Sequence, residues 1–204
     1  SKLSKLILIK LFINLPAGRF FFVLKQGNLI ISNPFLFNDS YFNRSVILLA
    51  NHKTSNSIGF ILNKPFNISL NSIIPEIKEK FDVFAGGPVE TDNLFFIHDS
   101  PNLIPNSKKI ENNLYWGGDF DSTIKLLNSK SILNNNIKFF LGYSGWTKNQ
   151  LKNEYNTNSW IIKQNTYKEK IIIEDYKNMW KNQIKLSGSK YDIWLNSPEN
   201  PNFN

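Results

Sequence analysis

Short β-branched apolar runs, each bounded by turn-forming residues, constrain the fold of this chain more than any other feature. Their length and their Val and Ile content are typical of buried strands, and the Asn, Pro and Gly residues at their borders are typical of turns. The clearest runs cover residues 28–32 (NLIIS), 45–51 (SVILLAN), 59–63 (GFILN) and 137–146 (IKFFLGYSGW). A set of such strands indicates a sheet-rich domain.

Apolar residues at helical spacing occur between and after these runs. The spacing predicts helices over residues 69–81, 147–155 and 175–187. A further helix is expected after Asp121 or Ser122, either of which is suited to cap it. Two more apolar runs, 82–89 and 94–99, are joined by a turn-like segment and are predicted to pair. Because no repeat or linker divides the chain, we expect a single α+β domain.

The absence of cysteine from all 204 residues removes several classes of chemistry. Disulfide bonds, thiolate catalysis, zinc ribbons and iron–sulfur ligation all require cysteine. The two histidines, His52 and His98, do not fall in a metal-binding spacing such as HExxH. Each is expected to make a hydrogen bond at the end of a strand. The sequence therefore predicts no metal site and no cofactor.

The formal net charge of +8 raises nucleic acid as a partner. Nearly all of the basic residues are lysines, with Arg19 and Arg44 as the exceptions, and the lysines are scattered along the chain. Recognition of bases or phosphates usually prefers the planar fork of arginine. Charge alone therefore does not predict nucleic-acid binding, and binding of this kind is expected to be non-specific and to weaken steeply with salt.

The two ends of the chain lie outside the predicted domain. Residues 1–26 are expected to form a disordered or amphipathic N-terminal extension, and residues 198–204 an extended tail. The start resembles a signal peptide, but Lys10 splits its apolar stretch and no clean cleavage site follows, so secretion is the minor alternative to a cytoplasmic location. No segment reaches about 18 uninterrupted apolar residues, and no membrane span is predicted.

Glycine-rich clusters stand out in a composition dominated by Asn, Ile, Lys and Phe. They lie at Gly86-Gly87, Gly117-Gly118 and Gly142 to Gly145. None of them matches the P-loop, the dinucleotide-binding or the nucleophile-elbow pattern. Ser144 in the last cluster is therefore expected to occupy a tight turn. Asp119 and Asp121 are suited to capping or to acid–base work, and the sequence does not separate the two roles.

Arg44 directly precedes a predicted strand. Its guanidinium is able to bind a carboxylate or a phosphate, or to tie the preceding loop to another segment as a structural clamp, and we favour the clamp. Gln150 and Glu154 are four residues apart in a predicted helix and therefore share one face. That face lines a cleft or pairs with lysines.

Taken in order, these pieces resemble the YqgE/AlgH family, and the resemblance spans residues 27–197. The segments that carry it are Gly27–Ile31 with Asn33-Pro34, Phe42–Val46, His52–Pro65, Gly86–Val89, His98, Gly117–Asp119, Gly142–Trp146, Gln150-Leu151, Glu154 and Asn158–Trp160. The resemblance implies one α+β domain, in which a mixed, bifurcated β-sheet curls into a pseudo-barrel with helices packed outside. It also implies a cytosolic bacterial protein. Members are uncharacterised or described as proposed transcriptional regulators, and no established catalytic residue is carried over.

Two functions stay open. The sequence favours a non-enzymatic regulatory or interaction module with an unidentified protein partner, with DNA binding as a special case. The alternative is a pocket that binds a small anion or performs hydrolysis, with Arg44, His52 and Asp119 as its working groups and the Gly86 and Gly87 N–H groups as anion donors. No catalytic residue is assigned. The candidate cleft comprises Arg44, Ser45, His52, Asn63, Gly86, Gly87, Asp119, Trp146, Gln150 and Glu154.

Overall fold

Ten strands and five α-helices are present in the computed structural model, which describes residues 24–196. The strands are β1 (Asn28–Ser32), β2 (Val46–His52), β3 (Asn56–Ile61), β4 (Pro65–Ser69), β5 (Asp82–Ala85), β6 (Val89–His98), β7 (Lys108–Glu111), β8 (Leu114–Trp116), β9 (Ile137–Thr147) and β10 (Trp160–Gln164). The helices are α1 (Leu70–Ile73), α2 (Phe120–Asn128), α3 (Gln150–Asn156), α4 (Tyr176–Lys185) and α5 (Asp192–Leu195). Short 3-10 helices cover Pro34–Leu36, Lys168–Ile172 and Ser189–Tyr191.

The predicted ends of the chain fall largely beyond this part of the protein. Residues 1–23 of the predicted extension and the predicted tail over 198–204 lie outside the described residues. The domain boundaries placed after residues 26 and 197 stay predictions. Within residues 24–196, no helix has the length and apolar content that crossing a bilayer requires.

The strands form one open, mixed sheet that forks at β9. The main path runs in the order β10-β1-β2-β3-β9-β6-β8-β7, and β4 and β5 form a side branch. Phe139 in the first half of β9 lies opposite Val83 of the parallel strand β5 and opposite Phe96 of the antiparallel strand β6. Gly145 in the second half lies opposite Ile58 of β3. The predicted α+β class and bifurcated sheet are confirmed.

The sheet curls until its two ends approach each other. Gln26, just before β1, donates from Nε2 to the carbonyl oxygens of Lys109 at 2.6 Å and Ile110 at 2.9 Å on β7. Asn165, just after β10, donates from Nδ2 to Glu111 Oε1 at 2.8 Å. Within the described residues, side chains bridge the gap between the two edges and no backbone ladder closes it. The result is a pseudo-barrel instead of a closed barrel.

Each face of the sheet is covered by other elements. Because neighbouring residues of a strand point to opposite faces, consecutive residues belong to different apolar clusters. Phe140 stacks on Phe60 with ring centroids 5.0 Å apart, in a cluster that α4 covers. Phe139, one residue earlier, belongs to a second cluster that Leu127 of α2 covers. Leu151 of α3 packs into a third cluster. The three longer helices therefore each pack on a different part of the sheet.

Two local predictions are wrong. The runs 82–89 and 94–99 do not pair with each other, because β5 and β6 lie on opposite sides of β9. The helix predicted over 69–81 ends at Ile73. Pro75 follows closely and has no N–H with which to continue a helical ladder. Ile77 and Phe81, near the end of that segment, lie in a loop, and their side chains are buried in the core.

The starts of two helices also differ from the prediction. The N-cap of α2 is Asp119, whose Oδ1 accepts the Ser122 amide at 2.8 Å, so neither Asp121 nor Ser122 is the cap. Helix α3 begins at Gln150, three residues later than predicted. The Gln150 side chain reaches back and accepts the Thr147 amide at 3.0 Å, which fixes the chain where it leaves β9.

Candidate functional site

A groove of about 400 Å³ lies between the first half of α4, the segment after β3 and the residues that precede β2. We call it the basic groove. Its described lining residues are Asn43, Arg44, Asn63, Lys64, Pro65, Tyr176, Lys177, Trp180 and Lys181. Two residues of the predicted cleft, Arg44 and Asn63, are therefore brought together here.

Arg44 is positioned through both its backbone and its side chain. Its φ of +52° lies in the left-handed region that a non-glycine residue seldom adopts. Asn63 donates from Nδ2 to the Arg44 carbonyl at 2.8 Å and accepts the Val46 amide on Oδ1 at 2.8 Å. The Arg44 Cζ lies 5.2 Å from the ring centroid of Trp180, whose Nε1 donates to the Ser32 carbonyl at 3.0 Å. The guanidinium therefore rests on an indole that is itself fixed.

The groove concentrates positive charge. Arg44, Lys64, Lys177 and Lys181 line it, and no Asp or Glu is among its described lining residues. Lys177 and Lys181 are exposed and lie four residues apart in α4, so they project from the same face. Asp175 is engaged as the N-cap of α4, where it accepts the Lys177 amide at 3.0 Å. The arrangement favours an anionic ligand.

Ser45 follows Arg44 in the chain and is completely buried. Its amide donates to Ser32 Oγ at 2.8 Å, and its carbonyl accepts the Ser32 amide at 3.0 Å. Among the described residues, its own Oγ has no hydrogen-bond partner. Ser45 therefore links the start of β2 to β1 and does not line the groove.

Glu154 holds a second group of predicted residues together. Its Oε2 accepts the indole N–H of Trp146 at 2.9 Å and that of Trp160 at 2.7 Å, and its Oε1 accepts Gln150 Nε2 at 2.9 Å. The two indoles meet edge to face, with centroids 6.2 Å apart. Trp146, Gln150 and Glu154 are therefore neighbours, as parts of a network that fastens α3 to β9 and β10.

His52 lines a separate cavity of about 540 Å³, which we call the hairpin cavity because the β2–β3 hairpin forms one wall. Its described lining residues are Leu24, His52, Lys53, Thr54, Ser57, Thr147, Lys148, Asn149, Leu151, Lys152, Tyr155, Asn156 and Ile162. His52 Nδ1 lies 2.7 Å from Ser57 Oγ, and burial lowers the pKa of His52. The hairpin cavity shares no lining residue with the basic groove.

Gly86 and Gly87 allow the connection between β5 and β6 to lie directly against β9. A Cβ on Gly86 would collide with the Gly142 carbonyl, and one on Gly87 would collide with the backbone that follows in β9. The Gly86 amide donates to the Leu141 carbonyl at 2.8 Å, and the Gly86 carbonyl accepts Ser144 Oγ at 3.1 Å. That amide is already engaged and is not available to a bound anion.

Asp119 lies apart from both cavities, at the start of α2. Hydrogen bonds from the Ser122 hydroxyl and amide lower the pKa of Asp119. Arg44, His52 and Asp119 therefore occupy three different places, and the structure does not assemble them into one site.

His98, at the end of β6, is buried and hydrogen-bonded through both ring nitrogens. Its Nδ1 accepts the Ser100 amide at 3.2 Å, which places the proton on Nε2, 3.1 Å from the Gly117 carbonyl. Burial is the main cause of its lowered pKa. Like His52, it makes the hydrogen bonds that the sequence predicted for a strand end. Within residues 24–196, no group of three or more His, Asp or Glu side chains is placed to hold a metal ion.

Sequence reasoning missed most of the groove. Lys64, Lys177, Trp180 and Lys181 were not among the predicted site residues, although they surround Arg44. One signal was available, because Lys177 and Lys181 have the four-residue spacing of a single helical face. That this face meets Arg44 follows only from the packing of α4.

Comparison with known proteins places the chain in a family. The AlgH-like family model matches residues 29–192. The chain belongs to the AlgH-like family. This AlgH-like protein is 43% identical over 183 residues to a UPF0301 protein of Bacteroides fragilis, covering 88% of the chain and 91% of the relative. It is 38% identical over 184 residues to a UPF0301 protein of Cytophaga hutchinsonii, covering 89% of the chain and all of the relative.

Solved structures show the same fold. The crystal structure of protein DIP2367 from Corynebacterium diphtheriae matches 91% of the AlgH-like chain and 96% of its own, with a TM-score of 0.68 at 16% identity. The solution structure of the AlgH protein from Pseudomonas aeruginosa matches 89% and 98%, with a TM-score of 0.65 at 19% identity. At these identities the likeness concerns the fold. The family resemblance predicted from the motifs is confirmed.

Proposed function

We propose that this AlgH-like protein is a non-enzymatic regulatory module of the cytoplasm that binds a small multivalent anion in the basic groove. The supporting observation is the set of four cationic side chains around one cavity, with no carboxylate among the described lining residues. The ligand class is a metabolite that carries phosphate or several carboxylate groups. A transcriptional role would follow if occupancy of the groove altered contact with a protein partner.

The chemistry of the groove fits this ligand class. A cavity of about 400 Å³ is within the usual size range of small-molecule sites. Lys177 and Lys181, exposed on one face of α4, supply two flexible point charges to an anion, and Arg44 and Lys64 add to the positive potential of the same groove. Because the Trp180 ring supports the guanidinium from one side, Arg44 loses less side-chain freedom when an anion binds.

Binding is favoured over hydrolysis by the same set of residues. The described lining residues are Asn, Arg, Lys, Pro, Tyr and Trp, and they include no His, Asp, Glu or Ser. General base catalysis needs a group whose pKa lies near the operating pH and which lies within reach of the reacting proton. The groove offers charge and hydrogen-bond donors, and its described lining offers no such base.

The proposal is tested by isothermal titration calorimetry with pyrophosphate at low salt. We expect the double variant Lys177→Gln/Lys181→Gln to bind about tenfold more weakly, because each charge contributes up to about 1 kcal/mol at an exposed site. Lys185→Gln is the matched control, since Lys185 is exposed on the same helix one turn further on but does not line the groove. The control should bind like the native protein.

Two outcomes of the calorimetry would overturn the proposal. One is the absence of pyrophosphate binding, and the other is equal weakening by the double variant and the control. A 20-base-pair DNA duplex is tested in parallel, because α4 carries three lysines on successive turns. Duplex binding that pyrophosphate displaces and that disappears at physiological salt supports a small-anion groove. A sequence-specific footprint that persists at physiological salt would contradict it.

A further inference from the structure

The hairpin cavity differs in character from the basic groove, because its floor is apolar. Leu24, Leu151 and Ile162 line it, together with the ring of Tyr155. Leu151 is 2% exposed and Ile162 is 9% exposed, so the floor belongs to the edge of the hydrophobic core. The volume of about 540 Å³ is sufficient for a small organic molecule.

The rim of the same cavity is basic. Lys53, Lys148 and Lys152 are exposed and line it, and no Asp or Glu is among its described lining residues. Within residues 24–196, none of the three lysines forms an ion pair. Three ammonium groups therefore surround an apolar floor without a carboxylate to balance them.

His52 adds a polar group at the boundary between floor and rim. Its Nδ1 makes a hydrogen bond with Ser57 Oγ at 2.7 Å. Because burial lowers the pKa of His52, the ring is neutral at neutral pH. A neutral imidazole offers one hydrogen bond without adding charge, so the cationic rim is supplied by the lysines alone.

We infer that the hairpin cavity binds an amphipathic monoanion, an acyl or aryl carboxylate, with its apolar part on the floor and its carboxylate among Lys53, Lys148 and Lys152. A purely polar anion would leave the floor uncovered, and a neutral apolar molecule would not use the lysines. The site is independent of the proposed function, since the two cavities share no lining residue.

The test compares octanoate with octanol, which have the same chain length and differ in charge. Each competes with the fluorescent probe 1-anilinonaphthalene-8-sulfonate on the full chain. Octanoate should displace the probe at a concentration about tenfold lower than octanol, because two or three lysine charges act only on the carboxylate. The double variant Lys148→Gln/Lys152→Gln should reduce that difference, when each displacement is converted to an inhibition constant with the variant's own affinity for the anionic probe, and should leave the inhibition constant of octanol unchanged.

Two further variants distinguish binding in the hairpin cavity from attraction of octanoate by the positive charge of the whole protein. Lys125→Gln removes an exposed lysine on α2 that does not line the cavity, and it should keep the native difference. Thr54→Trp places a large ring at the exposed rim and should weaken probe binding. Far-UV circular dichroism confirms that each variant is folded, and pyrophosphate titration reports the basic groove separately.

Equal displacement by octanoate and octanol in the native protein would overturn the inference. So would an unchanged octanoate preference in the double variant, or probe binding that Thr54→Trp does not affect. If the native protein does not bind pyrophosphate but does prefer octanoate to octanol, the proposed function is refuted and this inference stands.

Discussion

Lys138 is a buried cation whose replacement is expected to stabilise the protein. It lies on β9, is 5% exposed, and has its Nζ 3.8 Å from the ring centroid of Phe84 and 5.9 Å from that of Tyr176. Burial lowers its pKa from 10.5 to about 8, opposed in part by the nearby Asp82. The difference corresponds to about 3 kcal/mol by which folding disfavours the charged amine. Lys138→Met removes that amine and keeps a chain of similar length.

Two terms determine the size of the effect at pH 7. The variant gains about 3 kcal/mol by removing the buried charge and loses about 1–2 kcal/mol of interaction between the ammonium and the aromatic rings. We therefore expect Lys138→Met to be about 1–2 kcal/mol more stable than the native protein at pH 7. Urea unfolding followed by tryptophan fluorescence measures this difference.

The pH dependence gives the sharper test. Since the folded pKa of Lys138 is lower than the unfolded pKa, the unfolded chain binds more protons between pH 8 and 10.5. The native protein should therefore gain about 2 kcal/mol relative to Lys138→Met between pH 7 and pH 9.5. Lys109→Met, at an exposed position on β7, is the control and should show no such change. A stability difference that is constant with pH would refute the reasoning, because the amine would then be solvated in the folded protein.

Three other substitutions test the contacts described above. Glu154→Ala should lower the free energy of unfolding by about 2–4 kcal/mol in urea titrations, because it leaves two buried indole N–H groups without an acceptor, and Glu154→Gln should lower it less. Gly86→Ala should destabilise by about 3 kcal/mol or more, since its Cβ meets the Gly142 carbonyl, and native stability in that variant would show that the loop shifts freely. Asp119→Ala should lower the thermal midpoint of unfolding because it removes the N-cap of α2. Asp119→Asn should lower the midpoint less, because Asn also caps a helix. Equal decreases in the two variants would contradict a capping role.

The interior strands were predictable because their apolar character comes from burial on both faces. β1, β2 and β9 are nearly continuous apolar runs and were located to within one residue at each end. β4 (Pro65–Ser69) and β7 (Lys108–Glu111) were missed, since four of the five residues of β4 and two of the four residues of β7 are exposed and their extended shape depends on neighbouring strands. The pairing of β5 and β6 with β9 was also missed, because it joins segments that no local pattern connects.

The candidate site was predictable only in pieces. The Gln150 and Glu154 spacing correctly indicated one helical face, but the two indoles that Glu154 binds come from two different strands. Arg44 was singled out as an anion donor or clamp, yet its neighbour Lys177 in the groove is 133 positions away in the chain. Contacts over such separations are decided by how α4 packs, and a single sequence does not encode them in any local spacing.

The fork at β9 has a consequence for how the chain folds. β9 begins at residue 137, yet it completes ladders that start at β3, β5 and β6. During synthesis, roughly the first two thirds of the chain must therefore emerge before the strand that unites them. Folding of this kind depends on contacts between distant segments and is expected to be slow and sensitive to truncation. Among residues 24–196, the main path and the side branch of the sheet are joined through β9, and a fragment that stops before residue 137 would lack that strand.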